Sequence, residues 1–251
     1  MLERNYGKSN IQTRNKNKMI QEIIKNENDI KIVKRGSRLL SSICFFCAVI
    51  VFLGGYFFLQ YIAKQIDLSD RQELLTRVET IAHIINTDDI AALTGTSGDI
   101  NSPVYQRVKK MLYDIHDINS NTRFIYFMRS NSTNDKLIFL VDSENPDSKD
   151  YSPPGQVYED TSNLEMENYK NAVSFTEGPY SDVWGTWISG YAPIWSHGNL
   201  VGIIGMDISA SKWQTRDKSF QNGLLFITLF GSFTFVFIGF YIRHKARCVC
   251  A

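Results

Sequence analysis

Two long uncharged apolar stretches constrain this chain more than any other feature. Residues 39–63 run for 25 positions without a charged side chain, and residues 223–242 for 20. At 1.5 Å per helical residue, each is long enough to cross a hydrocarbon core roughly 30 Å thick. Both therefore read as transmembrane helices. The charges sort around them. Residues 1–38 carry ten Lys/Arg against four Asp/Glu, and the last nine residues add Arg243, Lys245 and Arg247 with no acid. Residues 64–222 carry fourteen Lys/Arg against twenty-two Asp/Glu, a net of −8 hidden within an overall charge of +1. The positive-inside rule then places both termini in the cytoplasm and the acidic middle outside, a two-pass protein of the cell membrane. The basic tail is expected to be flexible or partly helical, setting topology and attracting anionic lipid heads rather than binding nucleic acid.

The chain thus divides into a basic tail (1–38), a first span (39–63), an external domain (64–222), a second span (223–242) and a short cytoplasmic end (243–251). None of the four cysteines lies in the external domain. Cys44 and Cys47 fall in the first span, and Cys248 and Cys250 follow the second. The domain must therefore be held by its own core, without disulfides.

Within the domain, apolar residues at threes and fours predict a helix from Lys64 to about Leu93, and residues 94–98 (TGTSG) end it. Ser102-Pro103 has the signature of a helix start, with Val104, Val108, Met111, Leu112 and Ile115 as the buried stripe. Strands are predicted over 123–129 and 137–142. An irregular acidic segment follows over 143–178, with a short helix near 164–173 and an edge strand at 174–177. A loop this long inside a compact domain is usually functional.

Residues 184–209 (WGTWISGYAPIWSHGNLVGIIGMDIS) read as two strands joined at Ser196-His197-Gly198-Asn199. In the second strand both alternating faces are largely apolar, so the strand sits mid-sheet and is covered on each side. Asp207 is the exception, since a covered carboxylate costs several kcal/mol unless it is paired. Trp187, Ser189, Tyr191 and Trp195 share one face of the first strand, supplying aromatic walls and hydroxyls for a small-molecule pocket.

These residues carry a resemblance. SPVYQRVKKMLYDI leading to RFIYFMR, then FLVDSE, PPG at 153–155 and above all the 184–209 hairpin resemble the external PAS-like sensor domain called PDC or single-Cache. That domain occurs in bacterial histidine kinases of two-component systems, diguanylate cyclases, chemoreceptors and some adenylate cyclases. The resemblance covers residues 64–213 and implies an α+β fold: two transmembrane helices flanking a PAS-like domain with a long N-terminal helix and a five-stranded antiparallel sheet. It also implies a ligand held between the sheet and the 143–178 loop. Carried onto this chain, the pocket candidates are Tyr126, Met128, Arg129, Asp142, Trp184, Trp187, Ser189, Tyr191 and Asp207. The Tyr/Arg/Trp/Tyr signature of the family's amino-acid-binding branch is absent here, although Asp207 can pair with an amine.

Each candidate has a plainer alternative. Trp184 and Trp187 serve equally well as core, and Arg129 can pair with Asp142 or Asp207 as a structural ion pair. Strand alternation places Tyr126 and Met128 on the face opposite Arg129, so the three cannot all line one simple pocket. Enzymatic readings find no footing: His83, His116, His197 and His244 are scattered without ligand spacing, and there is no P-loop, nucleophile elbow, kinase or cyclase signature. The expectation is a non-enzymatic receptor module without cofactor or metal. It binds a small external solute, forms a homodimer through its long helix, and signals to a cytoplasmic partner or to an output domain missing from this stretch. The competing expectation is a membrane-anchored protein-interaction module with no solute.

Overall fold

The computed structural model describes the backbone of residues 3–119, 121–131, 133 and 135–249, and side chains over these ranges except 3–18, 20–21, 23–24, 214–221 and 249. The chain divides into two compact units: residues 1–61 with 221–251, and residues 62–220. Two long helices, α1 (Glu3–Ile84) and α5 (Ala210–Val249), contribute to both units.

In the first unit α1 and α5 form a helix pair whose outward side chains are those of a lipid-facing surface. Phe46 is 70% exposed and Phe230 76%, and each belongs to a segment long and apolar enough to cross a membrane. Water would penalise such a display heavily, whereas lipid tails would not. The two helices come close where a side chain is missing: a Cβ at Gly55 would lie 2.1 Å from Thr228 Cγ2. The Ser41 hydroxyl donates to the Gly239 carbonyl at 2.8 Å, satisfying a donor that hydrocarbon could not.

The second unit is built on a sheet. Its strands are β1 (Phe124–Ser130), β2 (Leu137–Asp142), β3 (Val157–Tyr158), β4 (Phe175–Ser181), β5 (Thr186–Ser196) and β6 (Asn199–Ser209). They lie in the order β3-β2-β1-β6-β5-β4, and all neighbours are antiparallel. The fold is the α+β arrangement expected, but the sheet has six strands rather than five. The sixth is β3, a two-residue strand pairing with Leu137 and Ile138. It falls inside the acidic 143–178 segment, and two residues are too few to show the alternation by which a strand is read. Between Ser196 and Asn199, both His197 (φ 49°) and Gly198 (φ 79°) are left-handed, the two-residue turn whose twist suits a hairpin.

The helix predicted to reach Leu93 stops at Ile84. Asn86 accepts from the Asp88 amide and starts a second helix, α2 (Thr87–Ala92). A 3-10 turn over Ser97–Asn101 follows, then α3 (Pro103–Ile118), capped as expected by Ser102, whose side chain accepts from the Tyr105 amide at 3.1 Å. α4 (Asn163–Asn171) carries a capping box in which Ser162 and Glu165 satisfy each other's backbone amides.

The sheet has a helix-covered face and an aromatic face. On the first, Leu74, Val78 and Ile81 of α1, Ile90 of α2 and Val108 and Leu112 of α3 pack against Ile125, Phe127, Ile188, Ile194, Ile204 and Met206. On the second, Tyr126, Met128, Phe139, Tyr158, Tyr191 and Ile203 of the sheet meet Met166 and Tyr169 of α4. A bulge opposite Ile194 and Trp195 falls on β6, where Val201 is passed over in the pairing and Leu200 turns to the aromatic face; Trp195, close to the hairpin turn, is half exposed.

Candidate functional site

A cleft opens on the aromatic face, where β1, β2 and β6 are overhung by the segments carrying Asp150, Tyr158 and Trp184. Its rings meet mostly edge to face: Tyr126–Phe139 at 5.4 Å, Phe139–Tyr158 at 6.1 Å and Phe139–Trp184 at 6.1 Å between centroids. The room at its centre is about 20 Å³, the space of one water, so a larger guest requires the overhang to give way.

Behind the rings lies a polar chain. Asp207, on β6, accepts from the Tyr126 hydroxyl at 2.9 Å and from Ser189 at 2.5 Å. The Tyr180 hydroxyl lies 2.9 Å from the Ser189 hydroxyl and 3.3 Å from that of Tyr191, and Tyr191 donates to Glu165 of α4 at 2.6 Å. Two buried carboxyls are thus joined across the sheet by four hydroxyl side chains. Local sequence makes this possible at Gly205, where a Cβ would lie 2.2 Å from Tyr126 Cε2; only glycine leaves room for the ring that reaches Asp207.

Burial dominates the electrostatics. It raises Asp207 from the usual carboxyl range to about 7 against the hydrogen bonds from Ser189 and Tyr126, with Asp182 and Glu165 adding to the rise. Burial likewise raises Glu165 to about 7, opposed by the bonds from Tyr191 and Ser162. Tyr126 and Tyr191 are held well above the phenol range for the same reason, so their hydroxyls stay neutral donors. Asp142, pushed up by burial, is pulled back by Lys109, whose ammonium lies 2.6 Å from Oδ1. The Ser152 amide donates to Asp142 Oδ2 at 2.7 Å.

Of the sequence candidates, Tyr126, Met128, Asp142, Trp184 and Asp207 line the cleft. Ser189 and Tyr191 lie behind it in the hydroxyl chain. Trp187 packs edge-on against Phe124 at 5.1 Å and donates from Nε1 to Asp182 at 2.9 Å, so it supports the turn that carries Trp184. Arg129 is on the opposite face and pairs with neither Asp142 nor Asp207. Its guanidinium donates to the carbonyls of Val201, Leu93 and Ile90 at 2.8, 2.9 and 3.0 Å, closing the C-terminal end of α2. A helix end leaves carbonyls unpaired, and a cation there is favoured twice over, by hydrogen bonding and by the helix dipole.

Sequence reading missed Phe124, Phe139, Tyr158, Asp150, Asp182, Tyr180 and Glu165. Phe124 and Phe139 follow from strand alternation once Tyr126 is placed. Glu165 carries a signal of its own, the Ser-x-x-Glu capping box at 162–165. Nothing local marks Tyr158, Asp182 or Tyr180, which long-range packing brings in.

No protein-family model matches the sequence, and no curated protein matches it. Among solved structures, the chain is similar to the sensory domain of the Campylobacter jejuni chemoreceptor Tlp3, at 15% identity and TM-score 0.46, covering 69% of this chain and 67% of that one. It is also similar to the ligand-binding domain of the Pseudomonas fluorescens chemoreceptor CtaA in complex with L-valine (20% identity, TM-score 0.33, 59% of each chain). A third is the extracellular domain of mmHK1S-Z2, a protein named as a histidine kinase (13% identity, TM-score 0.34, 59% of this chain and 62% of that one). The chain thus spans about two thirds or less of each of these structures. By their names these three are sensory, ligand-binding or extracellular domains of two chemoreceptors and a histidine kinase.

Proposed function

We propose that this chain is a two-span receptor module that binds a small extracytoplasmic solute in the aromatic cleft and relays the event across the membrane. The observation that carries the reading is the position of Asp207. It is a buried carboxyl at the floor of the cleft, and it lies three residues before Ala210, where α5 begins. A guest that changes the charge or position of Asp207 acts on the strand that becomes the second span. Trp213, at the start of α5, donates to Asp67 of α1 at 3.0 Å, and Arg71 both bonds Asp67 and lies over the Trp213 ring. The segment leaving the first span and the one entering the second are therefore tied together at the base of the domain. A ligand shifts such an arrangement only by binding its two states with different affinity. In this reading both termini are cytoplasmic, the module works as a homodimer through α1, and its output belongs to a partner or a further domain.

The test is a thermal-shift screen of the full chain in detergent micelles, with amines, amino acids, carboxylates, purines and sugars. A ligand at a hundred times its dissociation constant stabilises the bound state by about 2.7 kcal/mol, several degrees of melting. A hit lost in Asp207→Asn supports the reading. The small room at the cleft's centre, together with Val183 82% exposed beside its rim, favours a second reading, a protein-interaction module with a closed cleft. Absence of any shift across the panel would favour that one.

A further inference from the structure

The charge balance of the cleft narrows what it can take. Asp142 is matched by Lys109 and Asp150 by Arg123, at 2.6 Å in each case. Among the described residues, Asp207 and Asp182 have no such cation. Asp182 Oδ1 accepts only neutral donors, the Trp187 indole and the amides of Trp184 and Gly185, at 2.9 to 3.0 Å. Asp207 accepts two hydroxyls at Oδ1, and its Oδ2 has no hydrogen-bond partner among the described residues. Lys109, Arg123 and Arg129 are all engaged. Lys109 also donates to the carbonyls of Asp142 and Glu144, Arg123 also holds Glu144, and Arg129 is on the far face. The amides of Ser152, Trp184 and Gly185 are spent on Asp142 and Asp182. A carboxylate or phosphate entering the cleft would therefore lose its water and gain no cation, which disfavours it strongly.

The remaining walls are ring faces and edges from Tyr126, Phe139, Tyr158 and Trp184. Aromatic walls with surplus negative charge suit one ligand chemistry, because the electron-rich faces attract a cation while its alkyl groups shed water. We infer that the cleft binds an alkylated ammonium cation lacking a carboxylate, with its charge against Asp207 and Asp182 and its alkyl groups against Trp184, Tyr158 and Phe139. This rests on the solute-sensor reading and names its ligand class. A zwitterion such as a free amino acid would satisfy only its amine.

The test is isothermal titration of the full chain in micelles with choline chloride, tetramethylammonium chloride, L-valine and sodium acetate, against sodium chloride. Saturable binding of the two cations, with no binding of acetate and L-valine much weaker, is expected. Trp184→Ala should weaken cation affinity about tenfold or more, while Trp184→Phe, which keeps a ring face, should retain most of it. Asp207→Asn, whose melting temperature reports that it is folded, should weaken it at least as much. Binding of L-valine or acetate without the cations would overturn the ligand class and leave the solute-sensor reading standing. Cation binding unchanged in both Asp207→Asn and Trp184→Ala would also overturn the assignment. Silence from every probe would overturn the ligand class, and the solute-sensor reading would then stand or fall on the wider thermal-shift panel.

Discussion

Substituting Asp207→Asn isolates what the buried carboxyl costs the fold. Unfolded, the group titrates near 3.8; folded, burial moves it to about 7. The folded chain therefore holds a proton that the unfolded chain releases between those values. The stability from this group is full below about pH 4, declines as pH rises towards 7, and levels off above it. A shift of about three units corresponds to about 4 kcal/mol at most, at about 1.4 kcal/mol per unit. Relaxation and water entry reduce this, yet half of it, about 2 kcal/mol, still moves the melting of a domain this size by about 4–8 °C. Asparagine keeps an oxygen for Tyr126 and Ser189 but cannot ionise. The variant should lie closest to the parent at the acid end of the range and melt several degrees higher at pH 8. Glu165, also at about 7, adds the same kind of slope to both proteins, so the difference between the two curves belongs to Asp207. The assay is tryptophan fluorescence during heating of the full chain at pH 4.5 to 8.5. Parallel curves for parent and variant would refute the argument that burial, rather than pairing, governs this carboxyl.

Other perturbations should separate the two faces of the sheet. Arg129→Met removes the donor to the Ile90, Leu93 and Val201 carbonyls and should cost about 2–4 kcal/mol in urea unfolding, while leaving solute affinity unchanged because the side chain lies away from the cleft. Lys109→Met leaves Asp142 buried without its cation and should cost about 3–5 kcal/mol near neutral pH, less in acid where Asp142 takes up a proton; unfolding at pH 5 and 8 checks both. Gly205→Ala drives a methyl into the Tyr126 ring, so it should cost about 1–3 kcal/mol in thermal unfolding and reduce solute affinity in titration by displacing the hydroxyl from Asp207. If the domain faces outward, Val183→Cys in intact cells should be labelled by a membrane-impermeant maleimide, and no labelling would reverse the proposed topology.

The features legible in the sequence were those written in local pattern. The apolar segments, the Ser102-Pro103 helix start, strands β1 and β2 and the β5–β6 hairpin all appear in the structure near their expected positions. Asp207 stood out because a single acid in an otherwise apolar strand demands an explanation. The partners of that acid were harder to read. Tyr126 and Ser189 sit 81 and 18 residues away along the chain, and Glu165 joins only through Tyr191. Arg129 shows the limit most clearly. Alternation alone put it on the face opposite Tyr126, but nothing in the sequence says that the end of α2 lies beneath that face. Strand β3 escaped notice because two residues carry no period, and the bulge at Val201 went unread because only the pairing of β6 with β5 reveals it.

The short passage from Asp207 to Ala210 also constrains how a chain like this can change over time. With no slack between strand and helix, inserting or deleting a residue there would rotate α5 relative to the sheet by about 100°, the turn per residue of an α-helix. Every side chain downstream would then face a new direction, while the cleft itself would be untouched. If binding is relayed as proposed, length changes at this junction should act as phase changes: a solute would still bind, but its message would arrive on the wrong face. An insertion offset by a nearby deletion, or a change of about a whole helical turn, roughly three to four residues, would be tolerated where a single one is not. In that reading the junction is a keyed coupling, and any partner of the second span has to match its phase.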